Sequence, residues 1–275
     1  KSDGGYNYGT FDLAGIRFRI FELEADRLIY VTDSRQSLHF SQVFEAAKSC
    51  GWANRKGNEI SLEHVPFGSV LDENNKPLKT RSGENIKLSD LLSEAIDRAL
   101  VVVNEKNPSL SEESKKTVAR AVGIGAVKYA DLSQNRNNDY VFSWNRMLSL
   151  NGNTAPYLQY AHARICSIFK KGNVSEEQFP KNEINLAHPS ERALGLKLLQ
   201  FPETVLCVAD ELRPHVLCNY LYELATVFSF FYDQCPVLSA SSAVERASRL
   251  EMCFLVRSVL AKGLSVLGLE SPKEM

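Results

Sequence analysis

Asn74-Asn75-Lys76-Pro77-Leu78-Lys79-Thr80-Arg81-Ser82-Gly83 divides the chain into two parts with different patterns. A short apolar run precedes it and a long helical pattern follows. Lys76, Lys79 and Arg81 put three long donor-only side chains in a loop punctuated by Pro and Gly, which suits closure over a polyphosphate whose charge rises during a reaction. The competing reading is a solvated hairpin tip, since Lys, Asn, Pro and Gly are also what any exposed turn uses. Composition alone favours the tip, so the flanks must decide.

Upstream, to about Leu71, short β-rich runs alternate with helical ones: Leu28 to Thr32, then Ser37 to Cys50, then His64 to Leu71. That is α/β punctuation. From Gln36 to Ala47 the apolar residues Leu38, Phe40, Val43, Phe44 and Ala47 recur at three- and four-residue spacing, so one helix face can pack on a parallel sheet. Such sheets take ligands at the carboxyl ends of their strands, where Gln36 is placed. Downstream everything reads as helix. Lys87 to Asp90 opens a helix through Leu100, and Ser109 to Glu112 caps another carrying Val118, Ala121, Val122 and Ala126. Gly123-Ile124-Gly125 lies inside that second pattern with no strand before it, and reads as a close-packing site rather than a nucleotide-binding turn. Asn151 to Pro156 is a turn into a helix from about Tyr157 to Lys170. Further helices are expected over Ser190 to Gln200, Glu203 to Glu211, Pro214 to Asp233 and Ser242 to Leu267, stopped by Gly268 and Pro272. The second half is therefore an all-α bundle of roughly 120 residues.

The 275 residues and 30.8 kDa leave room for two domains with real cores. Charged residues at 24% and hydrophobic ones at 44% are globular values, and no apolar run approaches the roughly 20 residues a bilayer span needs. With 32 basic against 33 acidic residues, any nucleic-acid site must come from local clustering. The six cysteines (Cys50, Cys166, Cys207, Cys218, Cys235, Cys253) show no zinc-ligand spacing and read as buried reduced thiols. The five histidines are dispersed, so no metal site is expected. Lys1-Ser2-Asp3-Gly4-Gly5-Tyr6 is neither a signal nor a transit peptide and reads as the middle of a domain.

Tyr8 and Asp12 stand four apart and share a face if a helix begins there. A phenol and a carboxylate so placed can grip a cation, although a helix cap with a packing tyrosine fits the spacing better. Taken together, Lys1 to Gly5 with Tyr8 and Asp12, then Tyr30-Val31-Thr32-Asp33 with Gln36 and His39, resemble the later part of the catalytic domain of arginyl-tRNA synthetases. His64-Val65-Pro66-Phe67-Gly68 followed by Lys79-Thr80-Arg81-Ser82-Gly83 is similar to that family's divergent KMSKS loop. Tyr129 to Ser133, Asn151 to Tyr160, Leu212-Arg213-Pro214 and the stretch from Leu267 to Met275 continue the likeness into its helical anticodon-binding domain.

The resemblance covers the whole chain in one order. It implies the C-terminal part of a Rossmann-like class I catalytic domain with the KMSKS-like loop over 1–100, a connecting helical region against the tRNA stem over 101–150, and a helical anticodon-binding domain over 151–275. It implies that Tyr8, Asp12 and Gln36 hold arginine, with the Asp12 carboxylate facing the guanidinium. Lys79 and Arg81 would clamp ATP phosphates during catalysis, and His64 and Gly68 would flank the adenosine. Tyr157, Tyr160, Tyr232 and Met275 would meet the anticodon. ATP with Mg2+, L-arginine and arginine tRNA are the implied ligands, and a monomer the implied state. Reduced thiols suit the cytoplasm, with an organelle matrix left open.

Two departures stand out. Pro236, four beyond Tyr232, replaces an aromatic of some relatives. The family's HIGH signature has no match here, so the isolated polypeptide is expected to be inactive. A non-catalytic RNA-binding module is the alternative from another class, and a generic helical interaction domain ranks last. Against the module stands the presence together of Lys79, Arg81, Tyr8, Asp12 and Gln36.

Overall fold

The computed structural model describes residues 4–72, 74–76, 87–174 and 183–275. Lys79 and Arg81 lie outside the described residues. The chain divides into two units, residues 1–70 with 136–140, and residues 71–135 with 141–275.

In the first unit, helix α1 (Tyr8–Phe21) begins where Asn7 Oδ1 accepts the Thr10 N–H at 2.9 Å. Ile16 and Ile20 form its buried stripe. Strand β1 (Arg27–Asp33) passes through a 3₁₀ turn (Ser34–Gln36) into α2 (Ser37–Ser49). β1 then pairs in parallel with β4 (Ser61–Phe67), in register from Arg27 opposite Ser61 to Asp33 opposite Phe67. The connection between them holds an antiparallel pair absent from the sequence reading, β2 (Asn54–Arg55) and β3 (Asn58–Glu59). Its turn residues Lys56 and Gly57 have φ of 53° and 88°, the left-handed pair that a two-residue hairpin demands. Phe40, Val43, Phe44 and Ala47 of α2 close on Ile16, Ile20, Leu28 and Ile60 as one apolar cluster. The helical spacing read from the sequence therefore faces a parallel pair of strands at these four residues, whereas Leu38, read as part of the same face, is 71% exposed in the first turn of α2.

Beyond Phe67 the chain approaches residues 136–140 very closely. The Gly68 N–H donates to the Arg136 carbonyl at 2.8 Å and the Ser69 N–H to Asp139 Oδ1 at 2.6 Å. A Cβ on Gly68 would stand 2.5 Å from the Asn138 carbonyl oxygen, so only glycine fits without moving backbone. The short strands β5 (Val70–Leu71) and β6 (Tyr140–Val141) follow these two segments, and among the described residues β6 is the strand that departs from the all-helical reading downstream.

The second unit opens with α3 (Leu88–Lys106) and α4 (Glu112–Leu132), whose start is capped by Ser111. Ala99 and Val103 meet Val118, Ala119 and Val122 between them. Gly123 is a packing glycine, as its sequence context suggests: a Cβ there would lie 2.6 Å from the Ala95 carbonyl oxygen of α3. After α5 (Trp144–Met147) come α6 (Ala155–Lys171), α7 (Pro189–Leu199), α8 (Phe201–Glu211), α9 (Pro214–Gln234) and α10 (Ala243–Val266). Each of α6 to α9 carries proline in its first turn, where no helical N–H bond is lost.

Leu158, Ile165 and Phe169 of α6, Leu217, Leu221, Leu224 and Phe228 of α9, and Leu250, Val256 and Leu260 of α10 build the main core. Their three- and four-residue spacing supplies one buried stripe per helix. A buried ion pair ties α7 to α10, with Arg249 Nε 2.8 Å from Glu191 Oε1. Of the cysteines, Cys166, Cys218, Cys235 and Cys253 are buried as expected, but Cys207 is half-buried and Cys50 is exposed. Cys50 sits at the carboxyl cap of α2, just beyond its buried face. Among the described residues no helix is long and apolar enough to cross a membrane.

Candidate functional site

In the first unit Asp12 of α1, His39 and Phe40 of α2 and His64 of β4 form one chain of contacts beside the parallel strands. Asp33, the last residue of β1, caps the 3₁₀ turn that ends at the exposed Gln36. The Arg35 guanidinium and N–H bonded to its carboxylate pull the Asp33 pKa down to about 2. From α1, Tyr8 is 86% exposed and Asp12 half-buried one helical turn later. Tyr8 is therefore no packing residue, and the cap of the helix is Asn7.

Asp12 Oδ2 lies 2.6 Å from His39 Nε2 of α2. This contact, between residues 27 apart, is the main feature that sequence reading missed: His39 belonged to the resemblance without a role. Beside it, the Tyr30 hydroxyl accepts from Arg19 at 3.2 Å. Burial raises the Tyr30 pKa, with Arg19 acting to lower it and the Asp12 charge to raise it further. The carboxylate and the phenol thus share one electrostatic neighbourhood. Asp12 already has one oxygen engaged, and a guanidinium arriving there would meet a carboxylate oriented by an imidazole.

On β4, His64 Nε2 is 2.8 Å from Thr32 Oγ1, and its ring stacks on Phe40 at 5.0 Å with planes 22° apart. Burial lowers its pKa, which keeps the imidazole neutral at pH 7. Gly68 follows one residue after β4 ends. His64 thus stands at the middle of β4, opposite Tyr30, and Gly68 just past its end, where the backbone of Asn138 and Asp139 fills the space beside the glycine. Of the basic loop, Lys76 is described in the second unit, exposed and closing a tight turn through its N–H to Asp72 Oδ1 at 2.9 Å.

The second unit contains a cleft of about 720 Å³. Tyr160 and Arg164 of α6, Tyr232 of α9, and Met275 line it, with Lys170, Lys171, Lys273 and Glu274 also on its wall. Four cations against one carboxylate favour a polyanion. The Arg164 guanidinium lies 4.7 Å from the centre of the Tyr232 ring, and Tyr160 is 44% exposed. Two aromatic faces and a guanidinium plane in one basic cleft can receive unpaired bases. Tyr157 stands outside the lining, half-buried and edge-on to Tyr222 at 5.6 Å between ring centres. Pro236 is exposed, and its carbonyl accepts from Arg249 at 2.9 Å. Arg164 escaped sequence reading although its i, i+4 spacing from Tyr160 was a usable signal.

Comparison with known proteins sets a different boundary, because α3 and α4 of the second unit fall within the first of two family matches. Residues 1–144 match the model of the catalytic domain of class I tRNA synthetases (R), and residues 158–275 match the DALR anticodon binding domain. The chain is 50% identical over 275 residues to the arginine–tRNA ligase of Hahella chejuensis, covering all of this chain and 47% of that protein. It is 49% identical over 276 residues to the arginine–tRNA ligase of Cellvibrio japonicus, again covering 47% of it. Among solved structures, arginyl-tRNA synthetase from Plasmodium falciparum superposes with a TM-score of 0.85 at 33% identity, over all of this chain and 46% of the other. The Thermus thermophilus arginyl-tRNA synthetase gives 0.86 at 29%, over all of this chain and 50% of the other. The chain spans about half the length of the curated relatives it matches. The match of residues 1–144 to the catalytic domain, followed by that of residues 158–275 to the anticodon binding domain, places the chain in the class I arginyl-tRNA synthetase family.

Proposed function

We propose that the protein carrying this chain is an arginine–tRNA ligase. The observation that carries the reading is the match of all 275 residues, at about half identity, to arginine–tRNA ligases. Residues 1–100 act as the later part of the catalytic domain, 101–150 run along the tRNA stem, and 151–275 bind the anticodon. Tyr8, Asp12 and Gln36 hold arginine, with Asp12 opposite its guanidinium. His64 and Gly68 flank the adenosine of ATP, which binds with Mg2+. Lys79 and Arg81 draw the phosphates into place. An arginine carboxylate oxygen attacks the α-phosphorus, the bond to the β-phosphate oxygen breaks, and pyrophosphate leaves. A ribose hydroxyl at the tRNA 3′ end then attacks the arginyl carbonyl, giving the ester and AMP. Tyr157, Tyr160, Tyr232 and Met275 meet the anticodon bases. The protein works as a monomer in the cytoplasm. No HIGH signature occurs among the 275 residues, so this polypeptide alone does not activate arginine.

The test is arginine-dependent ATP–pyrophosphate exchange, with and without arginine tRNA, by the intact protein and by the 275-residue chain, beside a tRNA-binding titration. The intact protein is expected to exchange, and the chain to bind tRNA without exchanging. Asp12→Asn should raise the arginine KM of the intact protein about tenfold or more, as losing a bond to a charged group does. An unchanged KM would remove Asp12 from the arginine site. Tyr160→Ala and Tyr232→Ala should each weaken tRNA binding by about 1–3 kcal/mol.

A further inference from the structure

The segment after α10 has no helix or strand of its own, yet side chains hold it at three alternate carbonyls. Lys128 Nζ of α4 donates to the Gly268 carbonyl at 2.7 Å. Gln159 Nε2 of α6 donates to the Glu270 carbonyl at 2.9 Å, and His162 Nδ1 of α6 to the Pro272 carbonyl at 2.9 Å. The first carbonyl belongs to the left-handed glycine that ends α10, with φ of 70°, and the next two lie on the stretch beyond it, so helix side chains take up the segment's acceptors one after another. Leu269, between the first two carbonyls, is buried in the main core.

Two of these donors are costly to place. Gln159 is fully buried, its Nε2 also donates to the Ala121 carbonyl at 3.1 Å, and its Oε1 has no partner. His162 is only 5% exposed. Apolar side chains of similar shape would pack there without that polar cost, so stability alone does not account for an amide and an imidazole aimed at a peripheral segment. What the bonds do achieve is register. Lys273, Glu274 and Met275 follow directly and line the same cleft as Tyr160 and Tyr232, while Met275 also packs on the cluster between α3 and α4.

Helix α6 serves both surfaces at once. Tyr160, Arg164, Ser167 and Lys171 make one helical stripe on the cleft wall, and Gln159 and His162 sit on the stripe beside it, against the segment. We propose that Gln159 and His162 are positioning residues for the nucleic-acid site: they fix residues 268–275 as a strap that forms one wall of the cleft and sets its width for an unpaired base. The inference rests on the reading of the cleft as the anticodon site.

The test uses the intact protein. Gln159→Met keeps the shape and removes both donors. His162→Gln moves the donor one bond further out, whereas His162→Asn puts an amide N–H close to the place of Nδ1. KM for arginine tRNA, KM for arginine, kcat and thermal midpoint are measured for each, with Tyr160→Ala alongside. Gln159→Met and His162→Gln are expected to raise the tRNA KM about five- to tenfold, the scale of one lost hydrogen bond, with kcat and the arginine KM unchanged. His162→Asn should stay within about twofold of the parent. If Tyr160→Ala raises the tRNA KM and neither strap variant does, the positioning role is refuted while the cleft reading stands. A fall in thermal midpoint with kcat and both KM values worsening together would make the bonds structural only. If Tyr160→Ala changes nothing, the cleft is not the RNA site and the strap inference goes with it.

Discussion

Glu191 is the residue on which the helical unit is most exposed to a single change. It is 1% exposed, accepts the His188 N–H at the start of α7, and faces Arg249 of α10, whose guanidinium also reaches Glu245 and the Pro236 carbonyl. Glu191→Ala would leave a buried guanidinium short of its more deeply buried counter-charge and remove a helix cap. A loss of about 3–5 kcal/mol is expected in urea unfolding, the usual cost of breaking a buried pair from one side. His64 gives a pH signature in the other unit. Burial holds its folded pKa below the ordinary 6.5, so between those two values the unfolded chain binds more protons. Stability therefore falls as pH drops through 6.5 toward the folded value and is flat below it; a titration of unfolding midpoint against pH, compared with His64→Gln, should show that step only in the parent. Thiol labelling adds a third check. Cys218 and Cys253 are pushed up to about 12 by burial, and Cys50 is exposed, so native labelling should modify Cys50 while sparing these two until the chain unfolds. At this scale the sequence was legible wherever a residue type met a local pattern, as with Tyr8 and Asp12 on one turn. It was silent on His39 beside Asp12 and on Gln159 beside Glu270, because partners 27 and 111 residues apart leave no periodic trace.

Among the elements, the α3–α4 pair depends on one missing methyl. Gly123→Ala must push Ala95 backbone aside, since the new Cβ would meet its carbonyl oxygen at 2.6 Å and its carbonyl carbon at 2.7 Å. Backbone gives far less readily than the end of a side chain. Destabilisation of about 1–3 kcal/mol is expected, and amide exchange in α3 and α4 should accelerate more than in α9. Gly125→Ala would meet only the Gln159 amide, at 3.0 Å, so it should cost less. The helices themselves could be read from their punctuation: Ser111, Thr154 and Ser242 cap the helices they precede, and prolines open the first turns of α6 to α9. The hairpin of β2 and β3 could not, because its turn is Lys56-Gly57 and two residues per strand are too few to alternate. The same brevity hid β6.

Over the whole molecule, the two cores differ in size. Among the described residues, eight form the buried cluster of the first unit and twenty-six the main cluster of the second. Apolar burial is the dominant stabilising term, so the units should not share one stability. In the 275-residue chain, native-state hydrogen exchange is expected to release the β1 and β4 amides at lower free energy than those of α6, α9 and α10. Equal protection would mean that the chain unfolds as a single cooperative body.

The close approach of Gly68 and Ser69 to residues 136–140 also sets a clock. A ribosome releases about 5–20 residues each second, so the 65 residues from 71 to 135 separate the two partners by roughly 3–13 s of synthesis. Throughout that interval β1 and β4 can already pair, while the amides of Gly68 and Ser69 find only water. Each newly made molecule therefore passes through a dated half-built stage, and a ribosome that pauses between the codons for residues 71 and 135 prolongs it.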